Sequence, residues 1–281
     1  MMKSFKLLRS RLALFGSVMS LLVIIFSVMG PFIAPFGTSE FSNDLLSPPS
    51  SKYLLGTDGH GRDLLSRLLG GGRITLSLAF TTVLFAGAVG TVWGLLAAYT
   101  KGLAGICLNR TIDIVMSFPA IMLALFVIAM LGSEGITPLI IAIALAYTPR
   151  FARVICGATL PILQEDFILA GRALGASHLR ILGSHILPNL IAPITVLVSI
   201  YLPFSIMLES TLSFLGLGAP PDVPTWGRII SDGKAYMNVA PWLTVFPGMA
   251  IIFAALSFNL LGDGLRDIFD PRSTSRLSGR R

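Results

Sequence analysis

Residues 164–188 read QEDFILAGRALGASHLRILGSHILP, a polar interruption between two long apolar runs. Asp166 can cap or start a helix carrying Phe167, Ile168, Ala170 and Leu174 at three- and four-residue spacings. Gly175 stops that helix, because glycine takes the left-handed C′ conformation without a Cβ penalty. Ser177 can cap a second, shorter helix that starts at His178 and runs to the neighbourhood of Ile186, and Pro188 opens the next apolar span. The pattern predicts two short helices around a glycine hinge, exposing Phe167, Leu174, Leu179 and Leu182 beside Arg172 and Arg180. Amphipathic helices of this kind can lie on lipid headgroups. Apolar side chains on a loop that leaves the membrane also make a docking surface.

The membrane itself follows from composition. A mean hydropathy of +0.81, with 54% hydrophobic and 12% charged residues, excludes an ordinary soluble domain. Spans are predicted over 12–30, 74–100, 112–131, 136–154, 190–217 and 243–261, each near the roughly 20 residues that cross a bilayer. The net charge of +7 does not point to nucleic acid, because no basic patch interleaved with aromatic residues is present. Its distribution fits a topology instead. With the N-terminus inside, 15 Lys and Arg fall on the inner side and 6 on the outer, as the positive-inside rule requires. Lys3, Lys6, Arg9 and Arg11 ahead of the first apolar run resemble a signal peptide, but MGPFIAPFG follows without a small-x-small cleavage site. The first helix is therefore expected to stay, and the 164–188 loop and both termini to be cytoplasmic.

Outside the spans, residues 35–73 are mostly polar, with a Ser47-Pro-Pro-Ser-Ser loop. Asp58, Gly59 and Gly61 form a turn, and Leu64, Leu65, Leu68 and Leu69 form an apolar stripe with Asp63 and Arg67 paired at i,i+4. A short amphipathic helix at the outer surface is predicted. Asp58, His60 and Asp63 lack EF-hand spacing, and His60, His178 and His185 are too scattered for a metal site, so none is expected. The run from Gly70 to Gly72 reads as a helix boundary, whereas Gly87, Gly90 and Gly94 permit close packing inside a span. Residues 101–110 read as a short turn, and Pro119 falls within the third span. The 218–241 loop, rich in proline with Trp226 and Trp242 at its end, suits a structured interfacial element. Cys107 and Cys156 are expected as small buried apolar residues without a disulfide.

Two acidic residues stand near or inside spans. Asp113 lies three residues after Arg110, where it either pairs locally or serves a transport site. Glu209 is deep in the fifth span and must face a cavity or a polar partner. It either holds a neighbouring helix or meets a substrate amine. The chain has no G-x-x-x-x-G-K-[ST] phosphate loop and no nucleophile motif, so no catalytic residue is expected and any energy must come from a partner.

The 164–188 loop resembles the cytoplasmic motif of binding-protein-dependent ABC transporter permeases: Glu-Ala-Ala, three residues, Gly, nine residues, Ile-x-Leu-Pro. Ala170, Gly175, Leu187 and Pro188 match it. Leu169 stands where the glutamate belongs, Gly171 replaces an alanine and His185 replaces the isoleucine. Glu165, one turn before Leu169 on the same helical face, offers a nearby carboxylate. The segment Gly56-Thr57-Asp58…Gly61-Arg62-Asp63…Ser66-Arg67, the stretch MLESTLSFLGLG and the tail FNLLGDGLRDIFDPR resemble the dipeptide, oligopeptide and nickel permeases. The resemblance covers nearly the whole chain.

That resemblance implies an all-α integral membrane protein of the bacterial inner membrane, with six transmembrane helices in the type I ABC importer permease fold. Residues 1–71 would hold the first span, periplasmic loop and amphipathic segment, 72–264 the permease core with a coupling loop at 160–189, and 265–281 a cytoplasmic tail. The implied partners are a second homologous permease, two ABC ATPases that bind ATP and Mg, and an extracytoplasmic substrate-binding protein, with no cofactor in this chain. The implied ATPase-coupling residues are Glu165, Phe167, Ala170, Gly171, Arg172, Leu174, Gly175, Ala176, Leu179 and Pro188, with Glu209 and Asp113 as candidates for the path. Di- or oligopeptides are the expected cargo, with nickel or another small solute as the alternative. A secondary transporter would call for inverted repeats and paired intramembrane ionisable residues, and only Glu209 lies deep in a span. A structural scaffold subunit would not need the hinged loop.

Overall fold

The computed structural model describes residues 11–132 and 135–269. The expected basic clusters at Lys3, Lys6 and Arg9 and at Arg272, Arg276, Arg280 and Arg281 lie outside the described residues. The order is α1 (Arg11–Ile33), α2 (Leu64–Tyr99), α3 (Gly102–Met116), α4 (Ala120–Leu131), α5 (Ile136–Ile162), α6 (Asp166–Ala173), α7 (His178–Arg180), α8 (Leu187–Phe214), α9 (Trp226–Gly233) and α10 (Trp242–Phe269). A π-helical stretch, Ile181–Ile186, joins α7 to α8. Among the described residues, α1, α2, α5, α10 and the run from α7 through α8 are long and apolar enough to cross a bilayer. The pair α3 and α4 makes a sixth crossing if it is one span, bent by 95°. The bend falls at Pro119, whose missing N–H and fixed φ stop α3 from continuing.

Helices α2 and α5 form the centre. Gly90 lies so close to α5 that a Cβ there would sit 2.5 Å from the Phe151 Cβ and 2.7 Å from the Thr148 carbonyl oxygen. Gly87 faces the Phe151 ring and Gly94 the Ala152 and Cys156 backbone, as the small-residue spacing predicts. Around this seam Val83, Ala86, Ile143, Phe151 and Ile155 are buried. A second core gathers Val23, Leu64, Leu76, Ile206, Trp226 and Phe258 at the end of α2 away from the 164–188 loop. Helix α1 lies along α10, where Gly16 rests on the Leu260 backbone and the Ser20 hydroxyl donates to the Ser257 carbonyl at 2.9 Å.

Several expected boundaries move. The amphipathic stripe is not a separate surface helix. It is the start of α2, which runs unbroken for 36 residues with Asp63 as its N-cap. Gly70, Gly71 and Gly72 accordingly sit inside a helix rather than at its edge. Each is small because something presses on it: the Thr38 methyl, the Pro224 carbonyl and the Trp226 ring respectively. The division at 71/72 therefore cuts through a helix. Residues 101–110 are mostly helical, in α3, and α10 extends past 264 into the tail. Cys156 is buried as expected, but Cys107 is exposed.

Candidate functional site

The 164–188 loop folds as two helical pieces that turn one set of apolar side chains inward and another outward. Ile168, Ile181 and Ile186 are buried against the main core, which fixes the loop to the bundle. Phe167, Leu169, Leu174 and Leu179 point out, with Leu174 and Leu179 88% and 82% exposed. Leu182, expected on the outer face, is half-buried against the core instead. Helix α6 starts at Asp166. Glu165 is its N-cap residue, exposed and without a side-chain capping bond. Leu174 ends it, and Gly175 follows at φ +77°. The Ala176 N–H then reaches back to the Gly171 carbonyl at 3.0 Å, and the Gly175 N–H to that of Arg172 at 3.0 Å, the closure expected of a left-handed helix stop. A Cβ at Gly175 would meet nothing within 4 Å, so φ alone selects glycine there. Ser177 accepts from the Arg180 N–H as the cap of α7.

The second helix is not independent. It runs into α8 through the π-helical turn, where the Leu187 N–H donates to Leu182 five residues back. Pro188 comes next and has no N–H to give, so a widened turn suits the place where the α-helical pattern is interrupted. Two departures from the family motif also meet in space. A Cβ at Gly171 would lie 3.8 Å from the His185 ring nitrogen, so the smaller residue sits opposite the bulkier one. Sequence reasoning missed Tyr99, the last residue of α2. Its hydroxyl lies 2.5 Å from His178 Nδ1, and the Arg172 guanidinium stands 5.8 Å from its ring centroid. One aromatic side chain thus touches both halves of the loop and joins them to the central helix. No spacing within 164–188 could have revealed it.

At the other end of α2 the polar groups face inward. Asp58 Oδ1 accepts from the His60 and Arg62 backbone N–H groups at 2.8 and 3.0 Å. Its Oδ2 takes Arg62 Nε at 2.7 Å and the Arg67 guanidinium. Arg67 also reaches Asp232 at 3.2 Å, and Asp232 holds Arg228 at 2.9 Å, so the network ties the 57–67 segment to α9. Burial pushes the Asp58 carboxyl up, but Arg67, the two backbone donors and Arg62 together hold it below its ordinary value. The expected Asp63–Arg67 pair does not form, because the Asp63 side chain caps α2, accepting from the Ser66 N–H and hydroxyl at 2.8 and 2.7 Å. The Asp58 and Asp63 carboxylates are therefore both engaged within the chain.

Glu209 is fully buried. It accepts from Ser213 at 2.7 Å, from the Thr225 hydroxyl at 2.8 Å and from Ser210 at 3.4 Å. Thr225 is the N-cap of α9, so Glu209 links α8 to the start of α9. Asp113 is half-exposed. It lies 3.8 Å from Arg110, and its closer partner is Arg153 of α5, a contact between helices that sequence spacing does not show.

Five helices among the described residues long and apolar enough to cross a bilayer, with the 164–188 loop at one end of α2 and a buried polar network at the other, make the architecture of a multi-span membrane subunit. The comparisons agree with this class. The family described as binding-protein-dependent transport system inner membrane component matches residues 90–275, and the N-terminal TM domain of oligopeptide transport permease C matches 4–49. A protein of Brucella suis biovar 1 that carries the name peptide transport system permease is 40% identical over 95% of this chain and 90% of its own length. The glutathione transport system permease GsiD of Pectobacterium atrosepticum is 39% identical over 96% and 90%. A chain of the MetNI methionine ABC transporter, in an inward-facing conformation, superposes with a TM-score of 0.59 at 21% identity, covering 73% of this chain and 97% of that one. The chain belongs to the binding-protein-dependent transport permeases and is a multi-pass inner-membrane protein.

Proposed function

We propose that this permease imports peptides and that loop 164–188 is the part driven by its ATPases. The observation that carries the reading is the outward set Phe167, Leu174 and Leu179 on a loop anchored by Ile168, Ile181 and Ile186. Burying one such side chain in a partner groove contributes about 1.5–3 kcal/mol, enough to seat a docking element. Gly175 sets the angle between the two pieces, Ala170, Gly171 and Ala176 keep them close, and Arg172 or Glu165 orients the contact. With the loop and both termini in the cytoplasm, two ATPases there would bind ATP and Mg, a second homologous permease would complete the path, and a binding protein outside would deliver cargo. ATPase closure would then move α6 and the π-linked α8 as levers, switching the path between two global states. Cargo follows from the relatives, which carry the names of peptide and glutathione permeases.

The test is a mild-detergent pull-down of the wild-type transporter and of a Phe167→Ala, Gly175→Pro, Leu179→Ala variant. Wild type should retain ATPases and the second permease, and the variant should lose the ATPases alone. Full ATPase recovery with the variant would remove the docking role. Peptide uptake in proteoliposomes with the binding protein checks the cargo.

A further inference from the structure

A cavity of about 460 Å³ lies toward the N-terminal end of α2, away from the 164–188 loop. Its walls come from α1, α2, α5 and the segment before α9, and Leu78, Ile136, Ile140 and Pro224 make them mostly apolar. One cation faces it. Arg73, Ser77 and Thr81 follow one another at four-residue steps along α2, all exposed and all lining the cavity, so they form a single polar file on one helix face. The neighbouring arginines Arg62, Arg67 and Arg228 each hold a carboxylate. Among the described residues, no carboxylate stands within ion-pair distance of Arg73.

An arginine on a spanning helix that lines a cavity without a carboxylate partner marks a place for an anion. The planar fork of a guanidinium matches a carboxylate with two parallel hydrogen bonds. The two hydroxyls below it can donate to or accept from backbone amides, and apolar walls suit side chains of no fixed identity. The volume falls in the range of small-molecule sites, about 300–1,000 Å³. We infer that Arg73, Ser77 and Thr81 form a receiving site for the C-terminal carboxylate and first peptide bond of the cargo. The site rests on the peptide reading above and adds to it: cargo is held by its terminus and backbone, whatever its sequence. An anionic lipid headgroup offers related chemistry, but a cavity lined from α1, α2, α5 and the segment before α9 fits a short peptide better than a chain of lipid in a lateral groove.

The test uses the whole transporter in liposomes of neutral lipid, with exposed Cys107 changed to serine and a reporter Ser77→Cys. The reporter's modification by small anionic and cationic thiosulfonates is followed by mass spectrometry. The anionic reagent should react about tenfold faster, the scale of one nearby charge in a wet site, and Arg73→Gln should erase the preference. Millimolar L-alanyl-L-alanine should slow the reaction, and its C-terminal amide should not. Equal rates for both reagents, or equal protection by acid and amide, would overturn the site. Protection by added phosphatidylglycerol and none by the dipeptide would assign Arg73 to lipid and also overturn it. Peptide uptake with the binding protein is measured on the same liposomes with the wild-type residue at 77. Dipeptide protection without peptide uptake would remove the import reading and leave the site standing, whereas uptake without protection would remove the site alone.

Discussion

The two ends of α2 treat polarity in opposite ways. Around Asp58, Arg62, Arg67 and Asp232 the charges are buried and each finds a partner inside the same chain. Around Gly175 the charges are exposed and so are the large apolar side chains, with Leu174 and Leu179 almost wholly so. A buried ion network whose charges pair within one chain serves that chain's own architecture. An apolar surface fixed by buried isoleucines yet facing solvent is complete only when something covers it. The first end should therefore register mutations as lost stability, and the second as lost association.

The largest effect is expected at Arg67. Its side chain is 1% exposed and bridges Asp58 to Asp232. Arg67→Ala removes the most buried cation of the network and leaves Arg62, at 2.7 Å from Asp58 and 3.6 Å from Asp232, to bridge the two carboxylates alone; removing one partner of a buried pair costs about 3–5 kcal/mol. Thermal unfolding of the purified transporter should show a large drop. The same network sets an acid limit. Because the Asp58 pKa is lowered in the folded protein, its contribution is present above the unfolded-state value, about 3.9. It is lost as pH falls through the lower folded value. The melting temperature of wild type should fall steeply below pH 4, and that of Asp58→Asn should start lower and change less. A parallel decline in both would detach acid sensitivity from Asp58.

Next comes Gly71→Ala. A Cβ there would press into the Pro224 carbonyl, pushing the α9 segment off α2, and overpacking of this kind costs about 1–3 kcal/mol. Gly157→Ala, where nothing lies within 4 Å, should be neutral by the same melting assay. Equal losses at both positions would mean that backbone freedom, not the close approach, decides at Gly71.

How much of this was legible depended on whether the cause was local. The glycine stop at 175, the cap at Ser177 and the close-packed Gly87, Gly90 and Gly94 follow from short-range rules, and the structure has them. Gly70, Gly71 and Gly72 look like helix breakers, and so hide that α2 begins at Leu64. Their reason lies more than a hundred residues away, at Pro224 and Trp226, for two of the three. Arg67 was paired with Asp63 by i,i+4 spacing, yet Asp63 was needed as a cap and Asp232 lies across the fold. Arg153 was invisible as the partner of Asp113 for the same reason. In the candidate site, the exposed leucines were readable from helical period, whereas Tyr99 was not, being contributed by another helix.

At Gly175 the expected cost is smaller. With open space around it and φ at +77°, alanine pays only left-handed strain, about 1–2 kcal/mol, and asparagine less. Gly175→Pro is different in kind, since proline cannot reach that φ and removes the N–H that donates to Arg172. The protein should still insert, and ATP hydrolysis should continue without transport. Normal uptake by the proline variant would separate the hinge from coupling.

The smallest effect on the fold is expected from the largest exposed side chains. Leu174→Ala with Leu179→Ala removes two groups that touch little in the isolated chain, so its melting temperature should shift by no more than a surface change does, about 0.5 kcal/mol in stability. The same double change removes two anchors from the proposed ATPase contact. If each contributes even half of the about 1.5–3 kcal/mol of a fully buried leucine, the ATPases should bind roughly tenfold or more weakly. Titrating ATPase subunits onto immobilised permease reads that directly. A double variant that melts early and still binds would put Leu174 and Leu179 on the same footing as Arg67, and the two ends of α2 would no longer differ in kind.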